Sequence, residues 1–413
     1  MPRRSVRFRH SGRRRDPDRA RPLHRTGQGW PSWAKLGAAA LLASAVLGGV
    51  TIVARLPESS SALRMKAEAA ANDGNWPRAL ELWRVVNRAR GADARSYLAE
   101  ARACLALGRA GQAEQALTEA SRHDPRDAEA WLIRQEITRV ENRQHDAQKL
   151  TWEAYEVVAP ESRHSLLLGL TLALLADAPD DLARDTLTRW IDADPGDLEA
   201  RAALERRRID NPRASDPPFT ERAAELERLL AIHPEHTGLR EALILVLAEA
   251  GDPARGRVSL DAWPESERDV RHDRLEGRWS LDYENRPERA VAAFKRALAV
   301  LPHDWKARYR LTRALQAAGL GAEARQQAGE VARLRELLEP VKLGQRLDSI
   351  FETHDRPGMA RELAQLCASA GLERLAEAWR KLAAIPDAGA ELDKPSMRLD
   401  LPGRLPARGE PSR

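Results

Sequence analysis

The chain has 413 residues, 43% hydrophobic and 31% charged, with a formal net charge of +5 and two cysteines. That length can bury a large core, and the absence of any CxxC or CxxCH excludes a zinc ribbon and c-type haem attachment. Residues 1–35 hold ten arginines and Lys35 against Asp16 and Asp18, a net +9, which leaves −4 on the remainder. The basic character therefore belongs to the N-terminal tail, and nucleic acid is not an expected partner of the folded body.

In chain order, residues 1–35 are rich in Arg, Pro and Gly and read as a disordered tail. A charge-free run, Leu36–Ala54, follows. At 1.5 Å per residue it spans roughly 28 Å, close to a bilayer core. Trp30 and Trp33 precede it, and Lys35 and Arg55 bracket it. Residues 36–55 are therefore expected to form one transmembrane helix, a signal anchor. The cationic upstream flank predicts a cytoplasmic N-terminus and a body on the periplasmic face of a bacterial inner membrane. The rival reading is a cleaved signal peptide ending near Ala43-Ser44-Ala45.

The body, abundant in Ala, Leu, Arg and Glu, favours helix over strand. It also repeats. Gly74, Gly108 and Asn142 stand 34 residues apart, as do Gly251, Asn285 and Gly319. Ala79, Ala113 and Ala147 follow the first set at the same spacing, and Gly256, Ala290 and Ala324 the second. Each unit reads as a first helix ending at a Gly or Asn turn, then a second helix ending near a proline such as Pro125, Pro195 or Pro302. A small residue lets the two helices approach, and a large apolar one four positions on, as in Ala290 and Phe294, fills the core. A single hairpin cannot bury its own stripe, so the units should stack. The period is interrupted by DNPRASDPP at 210–218. Residues 336–386 read as a C-terminal helical hairpin or cap, and 387–413 as a disordered tail. Cys104 and Cys367 each fall within a helical apolar pattern and read as buried small hydrophobes.

On these residues the chain resembles the tetratricopeptide repeat family over about 56–335, best where Ala290, Phe294 and Pro302 match the second half of the repeat motif. The resemblance implies an all-α fold, a right-handed superhelical solenoid of antiparallel helix pairs with a concave groove that binds proteins or peptides. It also implies that the first helix of each pair lines that groove. By repeat position the lining is Arg95, Arg102, Glu129, Glu136 and Arg139 early, and His272, Trp279, Asp282, Lys306, Tyr309 and Arg313 late. The Lys/Asn set with which some relatives clamp a carboxyl terminus is absent, since Arg64, Glu68, Leu98, Arg102, Leu132 and Glu136 occupy the comparable positions.

No GxGxxG, GxxxxGK, HExxH or GxSxG motif is present. His233-Pro234-Glu235-His236 offers metal-ligand types but falls at a turn where the repeat places its proline. Acidic pairs such as Asp180-Asp181 lie at helix starts, where carboxylates cap N–H groups. No catalytic residue, metal or cofactor is expected. The alternative is an enzyme or peptide-processing factor with its site in the irregular 198–270 region. A further one is a 1–29 tail that binds anionic lipid or nucleic acid.

Overall fold

The computed structural model describes residues 59–384 except 90, 91, 177 and 354. The chain divides into two units, Met1–Glu58 and Ser59–Arg413. The first, including the membrane helix expected at 36–55, lies outside the described residues, as does the tail at 387–413. Among the described residues no helix is long and apolar enough to cross a membrane.

The described residues form nineteen α-helices and no strand. Seven hairpins share one turn. They are α1–α2 (Ser60–Asn72, Trp76–Arg88), α3–α4 (Ala94–Ala106, Ala110–His123), α5–α6 (Ala128–Val140, Gln144–Val157), α11–α12 (Thr237–Glu249, Pro253–Asp261), α13–α14 (Val270–Asp282, Pro287–Val300), α15–α16 (Trp305–Ala317, Gly321–Leu337) and α18–α19 (Arg356–Ser369, Glu373–Ala383). Each turns on one residue with φ between 52° and 80°: Gly74, Gly108, Asn142, Gly251, Asn285, Gly319 and Gly371. The six residues spaced by 34 are thus six left-handed helix ends, and Gly371 adds a seventh. The following N–H closes the turn on a carbonyl of the first helix, as from Arg109 to Cys104 at 2.8 Å. Five residues beyond each turn a small residue is buried: Ala79, Ala113, Ala147, Gly256, Ala290, Ala324 and Ala376.

The prolines between hairpins gain a role from the helix that follows them. The carbonyl of Pro125 accepts from Trp131 Nε1 at 3.1 Å, that of Pro195 from Arg201 Nε at 3.0 Å, and that of Pro302 from Arg308 Nη2 at 2.9 Å. Pro234 is held in the same way by Arg240. In each case the donor lies six residues on, so the loop is tied to the next first helix. Aspartates cap several of these helices, among them Asp93, Asp127 and Asp304. Asp180 does not cap. It sits in the first turn of α8 (Asp180–Ala193), 3.1 Å from Arg184 Nε.

The middle is built differently. Helices α7 (Arg163–Leu175), α8, α9 (Leu198–Asp210) and α10 (Phe219–Ile232) have no left-handed turn between them among the described residues. Helix α9 packs on α8 and α11, and α10 packs on α11. Pro212, Pro217 and Pro218 keep the 211–218 loop from folding into a tight turn. Buried arginines bridge the gap. Arg184 Nη1 donates to Asp216 at 2.9 Å, Arg222 Nε to Glu205 at 2.5 Å, and Arg207 Nη2 to the Val140 carbonyl at 3.3 Å.

The last hairpin does more than end the array. Leu363, Cys367 and Trp379 share one core with Leu167, Leu170 and Leu174 of α7. Trp379 Nε1 donates to Thr171 Oγ1 at 3.0 Å, and His164 meets the Trp379 ring edge-on at 5.1 Å. Helix α7 is apolar on nearly every side, and burial between neighbouring hairpins and this returning one accounts for that. Cys104 and Cys367 are both fully buried, and burial pushes their thiols up to about 11 and about 12.

Candidate functional site

First helices α5, α11, α13 and α15, with helix α9, the end of α7 and helix α17 (Pro340–Thr353), enclose a cavity of about 1230 Å³. Each helix presents one stripe to it. On α13 the stripe is Arg271, Arg274, Arg278 and Asp282, and on α15 it is Lys306, Tyr309, Arg310 and Arg313. These spacings of three and four keep one face toward the cavity.

Ion pairs lace neighbouring first helices together. Arg206 reaches Glu241 at 3.4 Å, Arg278 reaches Glu249 at 2.9 Å, and Arg313 reaches Asp282 at 3.1 Å. Arg274 lies 3.0 Å from Asp304, and Lys306 lies 3.5 Å from Asp210 of α9. Burial alone would raise Asp304, but Arg274 and the Ala307 N–H hold its carboxyl below the usual range. Burial pushes the neighbouring His303 imidazole down to about 4, against the pull of Asp304. At neutral pH the cavity wall therefore holds ionised pairs beside a neutral histidine.

Six of the eleven groove residues expected from the repeat pattern line this cavity: Glu136, Arg139, Asp282, Lys306, Tyr309 and Arg313. Glu136 and Arg139 pair with each other at 2.7 Å. Arg95 and Arg102 on α3 and Glu129 at the start of α5 do not line it; Arg102 and Glu129 form an ion pair between the two helices. His272 and Trp279 belong to the core. Trp279 is 1% exposed, lies over Gly256, and donates from Nε1 to the Pro253 carbonyl at 3.0 Å. His272 is buried against the Trp263 ring. The inward face of α13 is thus one residue away from the face the repeat pattern suggests. Arg274 and Arg278 were missed for that reason, whereas Arg310 lies beside Tyr309 on the face of α15 that the repeat pattern does suggest. Their i, i+3 and i+4 spacing within charged helices was the signal.

His233-Pro234-Glu235-His236 forms a turn. His236 Nδ1 accepts from the Leu239 N–H at 3.2 Å as the cap of α11, and Nε2 is 3.5 Å from Glu199. Among the described residues no group of three or more His, Cys, Asp or Glu side chains is placed to hold a metal. The 198–261 segment is helical, built from α9 to α12.

A family model described as a tetratricopeptide repeat matches residues 283–334. No curated protein matches the sequence. Among solved structures, the chain is similar to a tetratricopeptide repeat protein from Parabacteroides merdae ATCC 43184. The identity is 16% and the TM-score 0.30, over 63% of this chain and 100% of that one. It is similar to the TPR domain of P58(IPK) at 13% identity and TM-score 0.29, over 78% and 97% of the two chains. A third similarity, to the APC/C hetero-tetramer Cut9–Hcn1, has 13% identity and TM-score 0.32, over 75% and 59%.

Proposed function

We propose, from the tetratricopeptide repeat match at residues 283–334, that the chain is an interaction scaffold whose protein partner enters the inner cavity. The observation that carries this is the cavity itself, lined by one face from each of α5, α9, α11, α13 and α15 and large enough for a peptide segment. Tyr309, 52% exposed, offers the amphipathic ring favoured at interfaces. A photo-crosslinking phenylalanine analogue at position 309 tests the reading in the full chain in its native cells. Specific protein adducts are expected from 309 and not from position 258, whose valine is exposed away from the cavity. Equal adducts from both positions would remove the support for a groove.

The charge-free run at 36–54 beside a +9 flank supports a scaffold held at the membrane, with its N-terminus cytoplasmic and the array on the far side. Protease added to spheroplasts should then digest the array and spare the first 35 residues. Digestion that requires lysis of the cells would reverse the orientation.

A further inference from the structure

Resting on that reading of the cavity, we infer that its occupant is a protein segment with a lone aspartate or glutamate, whose carboxylate seats on the Arg310 guanidinium. The case begins with a census of charge. Among the described residues lining the cavity, every lysine and arginine except Arg310 has an acidic partner within 4.0 Å. Arg310 is half-buried on α15 and makes no ion pair among the described residues. Arg278 and Arg274 raise the positive field around it, while the nearby Asp282 and Asp304 already serve Arg313 and Arg274. Burial, with Arg278 beside it, pulls its guanidinium below the ordinary value. A cation withdrawn from water with no counter-ion is costly to keep, and a bound anion removes that cost.

A second polar group points the same way. His303 lines the same cavity, is 4% exposed, and has no hydrogen-bond partner at either ring nitrogen. As a neutral imidazole it brings one N–H donor and one acceptor to a ligand.

The remaining lining decides which anion fits. Eight carboxylates, among them Glu241, Glu249 and Asp210, stand around the cavity. They occupy the other lining cations, so the repeated phosphates of a nucleic acid would meet one unpaired cation, whereas a single carboxylate meets that single fork bidentately. Half-buried Leu172, Leu245 and Leu338 also line the cavity and suit apolar neighbours of that acidic residue.

The test is selection of a phage-displayed random heptapeptide library on the purified full chain. Enriched peptides should carry one Asp or Glu among apolar residues. A selected peptide should bind Arg310→Gln at least about tenfold more weakly, with Arg310→Lys in between. Because Arg310 has no ion pair to lose and burial disfavours its charge, Arg310→Gln should melt no lower than the parent chain. A lower melting temperature would make Arg310 a structural residue and overturn the inference. Enrichment of peptides without an acidic residue, or an acidic preference that survives Arg310→Gln, would overturn it while leaving the groove. Oligoadenylate or inorganic phosphate binding that depends on Arg310 would assign the site to phosphate instead. No enrichment of any peptide would remove both the groove and its anion.

Discussion

Asn142 and Asn285 hold φ at 53° and 52°, where an L side chain crowds its own carbonyl. Asn tolerates this better than most residues, and glycine meets it without cost. Asn142→Ala and Asn285→Ala should each lower stability by about 1 kcal/mol, and the glycine versions should not. Chemical denaturation of the four variants checks this, and equal losses for Ala and Gly would contradict it. Protonation is the other lever at this scale. Burial pushes His164 and His303 down to about 4, aided at His164 by Arg356. An unfolded imidazole titrates near ~6.5. Between those values the unfolded chain binds protons that the folded chain refuses, so stability is complete above pH 6.5 and declines as pH falls toward 4. The melting temperature should drop across that window, and less steeply in His303→Gln. An unchanged slope in that variant would show that His303 carries none of the effect.

At the scale of the helix pair, α12 and α13 approach each other closely at Gly256. A Cβ added to Gly256 would lie 2.4 Å from Trp279 Cζ2. Gly256→Ala must therefore move a fully buried indole, at a cost of about 1–3 kcal/mol even though alanine favours helix. The double variant Gly256→Ala with Trp279→Phe should recover part of the loss, since the smaller ring leaves room. Additive losses would show that the contact is not the cause. The same contact explains what the sequence could and could not reveal. A left-handed turn makes its demand on one residue, so Gly74, Asn285 and the others carry it visibly at a 34-residue period. A helix face is set by the partner it packs on. Nothing within α13 says whether Arg274 and Arg278 or His272 and Trp279 turn inward; Gly256 on the neighbouring helix decides it. The part that α9 and α11 play in the cavity was hidden for a related reason. The proline-rich 211–218 loop breaks the period, and buried Arg184, Arg207 and Arg222 replace the missing turn with long-range hydrogen bonds that no spacing records.

Across the whole array, stacked hairpins that touch only their neighbours would lose stability locally, one unit at a time. The hydrogen bond from Trp379 to Thr171 joins residues 208 apart in sequence, and the core around it belongs to both α7 and α18–α19. Opening the last hairpin therefore uncovers Leu167, Leu170 and Leu174 in the middle of the chain. Trp379→Ala would leave a cavity in that shared core and cost about 3–5 kcal/mol. Its consequence should be distributed: amide exchange should quicken in α7 and in α18–α19 together, with α1–α4 unchanged. Helix α17 borders the inner cavity and contributes Leu343 and Leu347 to the same core. A peptide bound in the cavity should therefore slow exchange in α17 and α7 in the parent chain, and do so less in Trp379→Ala. If exchange rose only in α19 while α7 kept its full protection, the terminal hairpin would be an ordinary end of the stack, and the coupling between it and the cavity would have no physical carrier.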